Sequence, residues 1–461
     1  MRGRVAQRSG LIGAGLSSLV LLAGCAGEGP SLPKMSSLNP FAEKSVPLPG
    51  KRIPVMQSNQ GLETGELADG FAPMTLPAAR VNDDWAQPGG DANNAPGNLA
   101  FNGGTNVAWS ADAGTGSGSS GRLTARPVIF GGHVFTLDAE GTVSAFSTSG
   151  GSAVWRAALK PKRESSGPWY SLSLGGSSSG GGFGGGLAAD GGRLYAATGY
   201  GNVVALDPAS GKVLWEKQLE APVRSSPTAV GDRVFVITLD GRFFCLAGAD
   251  GGELWSVRGA PQQASLINNA SPAVNGDVVV VPYPSGDLVA LKVSDGSTMW
   301  TENLARSRTT SQVASMSDAA RPAIDNGVVF AIGHAGRMIA THAETGERLW
   351  SINVPGTQTP WVAGGSVFVV DTQGQLMALS RNEGKTQWTV KLPGTGAWAG
   401  PTLAGGNLWL TSSTGTLVGV EATTGRIIGQ KELGGVYYIA PVVAQGRMYV
   451  LNDDAKLLAL N

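Results

Sequence analysis

The 461-residue chain is 42% hydrophobic and only 15% charged, so it has enough apolar side chain for a large core and is not a disordered protein. Lys plus Arg balance Asp plus Glu at 34 each, and three of the arginines fall in the first 24 residues, so the remainder is slightly acidic and lacks the basic footprint of a nucleic-acid binder. Glycine is abundant, at 69 residues, and favours turns and strands over helices.

The chain begins with an address. Arg2, Arg4 and Arg8 precede an apolar stretch from Leu11 to Ala23, which is too short to span a bilayer that needs about 20 residues. It closes on Leu22-Ala23-Gly24-Cys25. This resembles the bacterial lipobox, which implies a signal peptide over residues 1–24 and a lipid on the thiol of Cys25. From Ala26 to Asp84 there are eight prolines and no sustained period of 2 or 3.6, which reads as a tether ending before a globular body at 85–461. A flexible coil of that length would span about 40 Å on average. Ala26 is not the Asp that favours inner-membrane retention of lipoproteins, so the resemblance implies an outer-membrane address.

Beyond the tether one short phrase recurs. "GGSAVW" ends at Trp155, "SGKVLW" at Trp215, "DGGELW" at Trp255, "DGSTMW" at Trp300, "TGERLW" at Trp350 and "EGKTQW" at Trp388, each with a Gly four residues before the Trp. The surrounding units run Arg126 to Leu159, Leu187 to Leu219, Ser226 to Val257, Ser271 to Leu304, Arg321 to Val354, Thr359 to Leu392 and Gly400 to Leu433. Each contains four short apolar runs separated by Gly turns. At a period of about 40 residues this is the pattern of a propeller blade.

Two irregularities locate the ends of the array. The seventh unit reads "TGRIIG", with Gly429 where Trp is expected, and the last unit, Ala440 to Asn461, stops after three strands. An unpaired strand edge is a liability. Asn106 to Asp112, which carries Trp109, can supply the missing strand and shut an all-β ring of eight four-stranded antiparallel blades. The tryptophans then read as packing between blades, since burying 150–250 Å² each is worth on the order of 4–6 kcal/mol gross.

The repeated Gly-to-Trp element resembles the tryptophan-docking motif of the pyrroloquinoline-quinone-type β-propellers. With the lipobox, the tether and a single propeller, the chain resembles the BamB family of outer-membrane β-barrel assembly lipoproteins. Gly180 to Asp207 looks like the α-proteobacterial version. The resemblance implies a non-enzymatic scaffold anchored on the periplasmic face of the outer membrane. It would bind BamA and other subunits of the BAM complex and assist the folding and insertion of outer-membrane proteins, with contact to unfolded precursors, and without cofactor or metal. It also implies a contact through two of the three longest inter-blade connections, Gly259 to Ala270 and Ala305 to Ala320. The family's Leu-x-Leu-Arg is matched by Leu266 beside Ile267, and its Asp pair by Asp318 alone.

Two other readings stay open, a periplasmic quinoprotein-like dehydrogenase and a propeller binding a small ligand in its central channel. The first would need a carboxylate-rich calcium site and often adjacent cysteines, yet Cys25 and Cys245 are far apart and there is no C-x-x-C-H. His133, His334 and His342 lack metal-ligand spacing. The Gly-rich stretch Gly176 to Gly186 does not end in Gly-Lys-Ser/Thr, so it is not a phosphate cradle. Cys245, within "RFFCLAG", reads as a small buried hydrophobe.

Overall fold

The computed structural model describes residues 74–119, 121–160, 184–259, 270–304 and 319–461. Those residues form 32 strands in eight four-stranded antiparallel sheets, the blades of a ring-shaped propeller. Blades 1 to 7 follow one another along the chain, each starting at an inner strand and ending at an outer one. In blade 3 the strands are Thr228–Val230, Arg233–Ile237, Arg242–Ala247 and Glu253–Arg258. Gly231 and Gly251 take left-handed φ values of 61° and 74° in its turns, a region that glycine enters without the Cβ penalty. The two middle strands are buried almost throughout, which is why "RVFVI" and "RFFCLA" are near-continuous apolar runs, while the outer strand is exposed or half-buried along its whole length.

Blade 8 draws on both ends of the propeller. Val442–Ala444, Arg447–Leu451 and Lys456–Leu460 are its inner three strands, and Val107–Asp112 pairs antiparallel with Lys456–Leu460 as its outer strand. Two bonds to the Thr148 carbonyl join blade 8 to blade 1, from Trp109 Nε1 at 3.1 Å and from an Arg447 guanidinium nitrogen at 2.6 Å.

The repeated tryptophan sits opposite a small residue on the neighbouring strand of its own blade. Trp155 faces Ala145, Trp215 faces Ala205, Trp255 faces Cys245, Trp300 faces Ala290, Trp350 faces Ala340 and Trp388 faces Ala378, and a register shift follows each pair. The bulge turns the ring toward the next blade. There each indole Nε1, including that of Trp109, donates to a main-chain carbonyl at 2.8–3.1 Å. The indole face lies on the Gly of the next blade's repeat, so Gly251 holds the ring of Trp215 and Gly425 that of Trp388. A Cβ on any of these seven glycines would stand 2.4–2.7 Å from the ring. The conserved spacing of Gly and Trp within one phrase therefore serves two different seams.

This geometry accounts for Gly429. Its blade would dock a tryptophan onto the turn between the third and fourth strands of blade 8, but those strands come from opposite ends of the chain and no such turn exists. A Cβ at Gly429 would meet nothing within 4 Å, and Trp409 covers Gly419, its cross-strand partner, instead.

Candidate functional site

The inner strands leave one edge facing the central channel, where backbone groups have no ladder partner. In this chain a single segment supplies those partners at one mouth. Gln445 N–H donates to Asn82 O at 2.7 Å in blade 8, and Trp85 exchanges two bonds with Ile129 of blade 1, at 2.8 and 3.0 Å. Ala189 N–H of blade 2 donates to Ala86 O at 2.7 Å. The Gln87 side chain bonds Ala189 O of blade 2 and both N–H and O of Ala229 in blade 3. Val274 of blade 4 and Ile324 of blade 5 donate to Ala92 O and Asn93 O, each at 2.8 Å. Trp361 Nε1 of blade 6 donates to Gly97 O at 2.9 Å, and Leu99 bonds Leu403 and Gly405 of blade 7.

Between Asn82 and Leu99 the segment thus makes one circuit of the ring and meets all eight blades in order. Trp85 and Leu99 are fully buried, and Trp85 stacks on Trp361 with ring centroids 6.3 Å apart. Phe101 then packs edge-on against Trp409 before the chain enters blade 8. The tether expected up to Asp84 therefore ends earlier among the described residues, since Arg80 and Asn82 already bond to neighbouring segments. Sequence reasoning missed this element because "NDDWAQPGGDANNAPGNLAF" has no strand or helix period. Its signal was a Trp, a Leu and a Phe in an otherwise loop-like stretch dense in Asn and Gln, side chains able to cap strand edges.

The circuit lies beside the turns that follow the inner strands, as the bonds from Gly405 and Gln445 show. The opposite mouth, where the inner strands begin, opens into a cavity of about 520 Å³. Arg126 and Arg321 form its inner end, both buried, and each points a guanidinium nitrogen at Pro88 O of the circuit segment at 3.4 Å. Burial lowers the Arg126 pKa to about 10, and burial together with the Arg126 charge lowers that of Arg321 further.

The remaining expected residues are scattered or lie elsewhere. Cys25, Leu266, Ile267 and Asp318 fall outside the described residues. Trp109, Trp155, Trp215, Trp255, Trp300, Trp350 and Trp388 sit at the seams. His133 begins a strand of blade 1, while His334 and His342 lie in blade 5. Among the described residues no group of three His, Cys, Asp or Glu is placed to hold a metal ion. Cys245 is buried under Trp255, which pushes its thiol up to about 12.

The fold is thus that of an eight-bladed propeller with one channel mouth crossed by its own chain. A solved structure of BamB from Moraxella catarrhalis matches it with a TM-score of 0.65 at 18% identity, over 77% of this chain and 99% of that one. A europium-containing methanol dehydrogenase matches with a TM-score of 0.62 at 13% identity, over 82% of this chain and 89% of that one. Among curated proteins, BamB of Burkholderia pseudomallei is 26% identical over 206 residues, 44% of this chain and 48% of its own length. An uncharacterised protein, RP232, of Rickettsia prowazekii is 26% identical over 185 residues, 40% of this chain and 41% of its own. These matches span less than half the length of either curated relative. The family model described as outer membrane protein assembly factor BamB matches residues 139–390 and 378–461, and the chain belongs to that family.

Proposed function

We propose that the chain is a lipid-anchored, non-enzymatic scaffold of the outer-membrane β-barrel assembly complex, held on the periplasmic face, that binds BamA and assists the folding and insertion of outer-membrane proteins. In this reading residues 1–24 are removed as a signal, Cys25 carries the lipid, the following residues tether the body, and the propeller is the working part. The observation that carries the reading is the family match itself, which runs through the blades from residue 139 to the last residue instead of resting on one motif. The connections containing Leu266, Ile267 and Asp318 join outer to inner strands, whose described ends lie at the open mouth, and we assign the BamA contact to that face.

The test is affinity capture of the chain from solubilised envelopes. Recovery of BamA with the native chain, and its loss with a Leu266→Glu, Asp318→Arg double variant of unchanged thermal stability, is the expected result. Loop substitutions away from a core usually cost under about 0.5 kcal/mol, so binding and folding separate cleanly. Recovery of a bound quinone and dye-linked alcohol oxidation, without BamA, would contradict the scaffold. Cys25→Ala should release the chain from membranes, because stable anchoring takes more than one acyl chain and here all would hang on that thiol.

A further inference from the structure

The open mouth poses the same strand-edge problem that the circuit segment solves at the other one, and blade 7 answers it only in part. Its inner strand runs for seven residues, Trp398–Ala404, where six other blades use three, and the extra length lines the cavity. Ser413 N–H donates to Ala397 O at 2.8 Å, so the next residue, Trp398, stands opposite Ser412 as a non-hydrogen-bonded pair. Its N–H and C=O therefore turn away from the neighbouring strand Asn407–Ser412 and toward the channel. Gly400 N–H, two residues on, points the same way and is capped by Gln358 Oε1 at 3.3 Å. The main-chain N–H and C=O of Trp398 have no hydrogen-bond partner among the described residues.

Blade 2 shows what such an edge takes. Its inner strand, Gly185–Asp190, is also long, and Gly185 stands opposite Thr198 as Trp398 stands opposite Ser412. In both blades the carbonyl of that opposite residue accepts from the segment leading into the next blade, from Val223 N–H at 3.3 Å and from Tyr437 N–H at 3.2 Å. One residue further on, Arg224 O accepts from Gly185 N–H at 3.0 Å. Tyr438 holds the place of Arg224 but makes no such bond to Trp398. The ligand of this edge in blade 2 is thus a peptide carbonyl, and blade 7 presents the same edge to the cavity.

The walls fit an apolar side chain beside that edge. Leu123, Trp398, Tyr437, Tyr438 and Ile439 all line the cavity, and Tyr438 is exposed. Gln358 uses Oε1 on Gly400, which leaves its amide N–H groups as donors on the lining. The volume of about 520 Å³ lies within the ~300–1,000 Å³ usual for ligand sites.

We propose that the cavity binds a short extended peptide, which adds to the inner strand of blade 7. One residue of the peptide pairs its C=O and N–H with Trp398 N–H and C=O, and an apolar side chain rests against Tyr438 and its neighbours. Main-chain bonds give such strand addition its affinity, and the pocket for alternate side chains gives it selectivity. The inference goes beyond the assembly role and does not rest on it, since a propeller of any function could hold a peptide here.

The probe is the peptide acetyl-Thr-Val-Phe-Val-Thr-Lys-amide, titrated calorimetrically into the full chain, and saturable one-to-one binding is expected. Methylating its backbone nitrogens one at a time should give an alternating result. Where the N–H meets the edge, affinity falls about tenfold or more, and at the residues on either side, whose N–H points the other way, it stays within about threefold. Gln358→Glu keeps an oxygen for Gly400 N–H while removing the amide donors, and Tyr438→Ala removes the exposed ring. Each should weaken binding about three- to tenfold with thermal unfolding unchanged. Leu254→Ser, on the exposed outer strand of blade 3, should leave affinity unaltered, which separates the cavity from the outer strand edges. Absence of saturable binding by the native chain, equal tolerance of every methylated peptide, or native affinity in both cavity variants overturns the proposal. Binding of cellobiose in place of the peptide would overturn it too, by showing that the aromatic wall serves a sugar.

Discussion

At the rim of the ring, seven tryptophans dock on seven glycines with one geometry repeated blade after blade, whereas at the channel mouth one segment, Asn82 to Leu99, meets each inner strand through a different group. The rim solves one packing problem many times, so its solution is written periodically. The mouth solves eight slightly different hydrogen-bonding problems once, so its solution has no period. Both join blades that otherwise touch only their neighbours, and they differ in what their loss exposes: apolar surface at a seam, backbone donors and acceptors at the mouth.

The largest effect should come from removing the circuit. A chain beginning at residue 102 should unfold far below one beginning at residue 74, by several kcal/mol, since each lost hydrogen bond contributes a net ~0.5–1.5 kcal/mol and buried Trp85 and Leu99 go with it. Thermal unfolding of the two chains checks this, and equal melting temperatures would reduce the segment to a passive filler. At the rim, Trp388→Ala should cost about 3–5 kcal/mol in denaturant unfolding, because that ring is fully buried and its loss opens a cavity between blades. Trp255→Ala, at a half-buried ring, should cost less.

How much could be read beforehand follows the same division. The Gly-to-Trp phrase carried blade number and order, and the truncated last repeat pointed to Asn106 to Asp112, the residues that pair with Lys456–Leu460. The absence of Trp at Gly429 was visible as an exception, but its cause, a missing turn in blade 8, required the topology. The direction of docking was also hidden, because Gly251 and Trp255 stand in one phrase yet serve opposite seams. Nothing in "WAQPGGDANN" announces that Gln87 will bond two blades at once, since a side-chain amide that caps strand edges leaves no periodic trace. The two arginines of the cavity were equally silent. They stand just ahead of the first strand in their blades and meet only when the ring is formed.

Smaller changes sharpen the comparison. Gln87→Leu should cost about 1–3 kcal/mol, the penalty for leaving the buried groups of Ala189 and Ala229 without partners, and it should do so without altering any rim contact. Gly425→Ala should cost about 1–3 kcal/mol by driving a methyl into Trp388, while Gly429→Ala, in open space, should be neutral to slightly stabilising. Denaturation midpoints of the pair give the sign directly. The smallest effect at neutral pH concerns Cys245. Its folded thiol is pushed up from 9.0 to about 12 by burial, so its contribution to stability is complete below pH 9 and declines as pH rises from there toward 12. Iodoacetamide should leave the native thiol unmodified at mildly alkaline pH and label it on unfolding.

The most direct measurement is amide hydrogen exchange in the intact chain, resolved at the positions in the inner strands and the turns that follow them that meet the circuit segment. Ile129, Ala189, Ala229, Val274, Ile324, Gly405 and Gln445 donate to the circuit segment and to no sheet neighbour on that side, so the account predicts slow exchange at all seven, comparable with the middle strands of the blades. Exchange at these amides as fast as in exposed turns, while the middle strands stay protected, would show that Asn82 to Leu99 does not hold the mouth and would contradict the account.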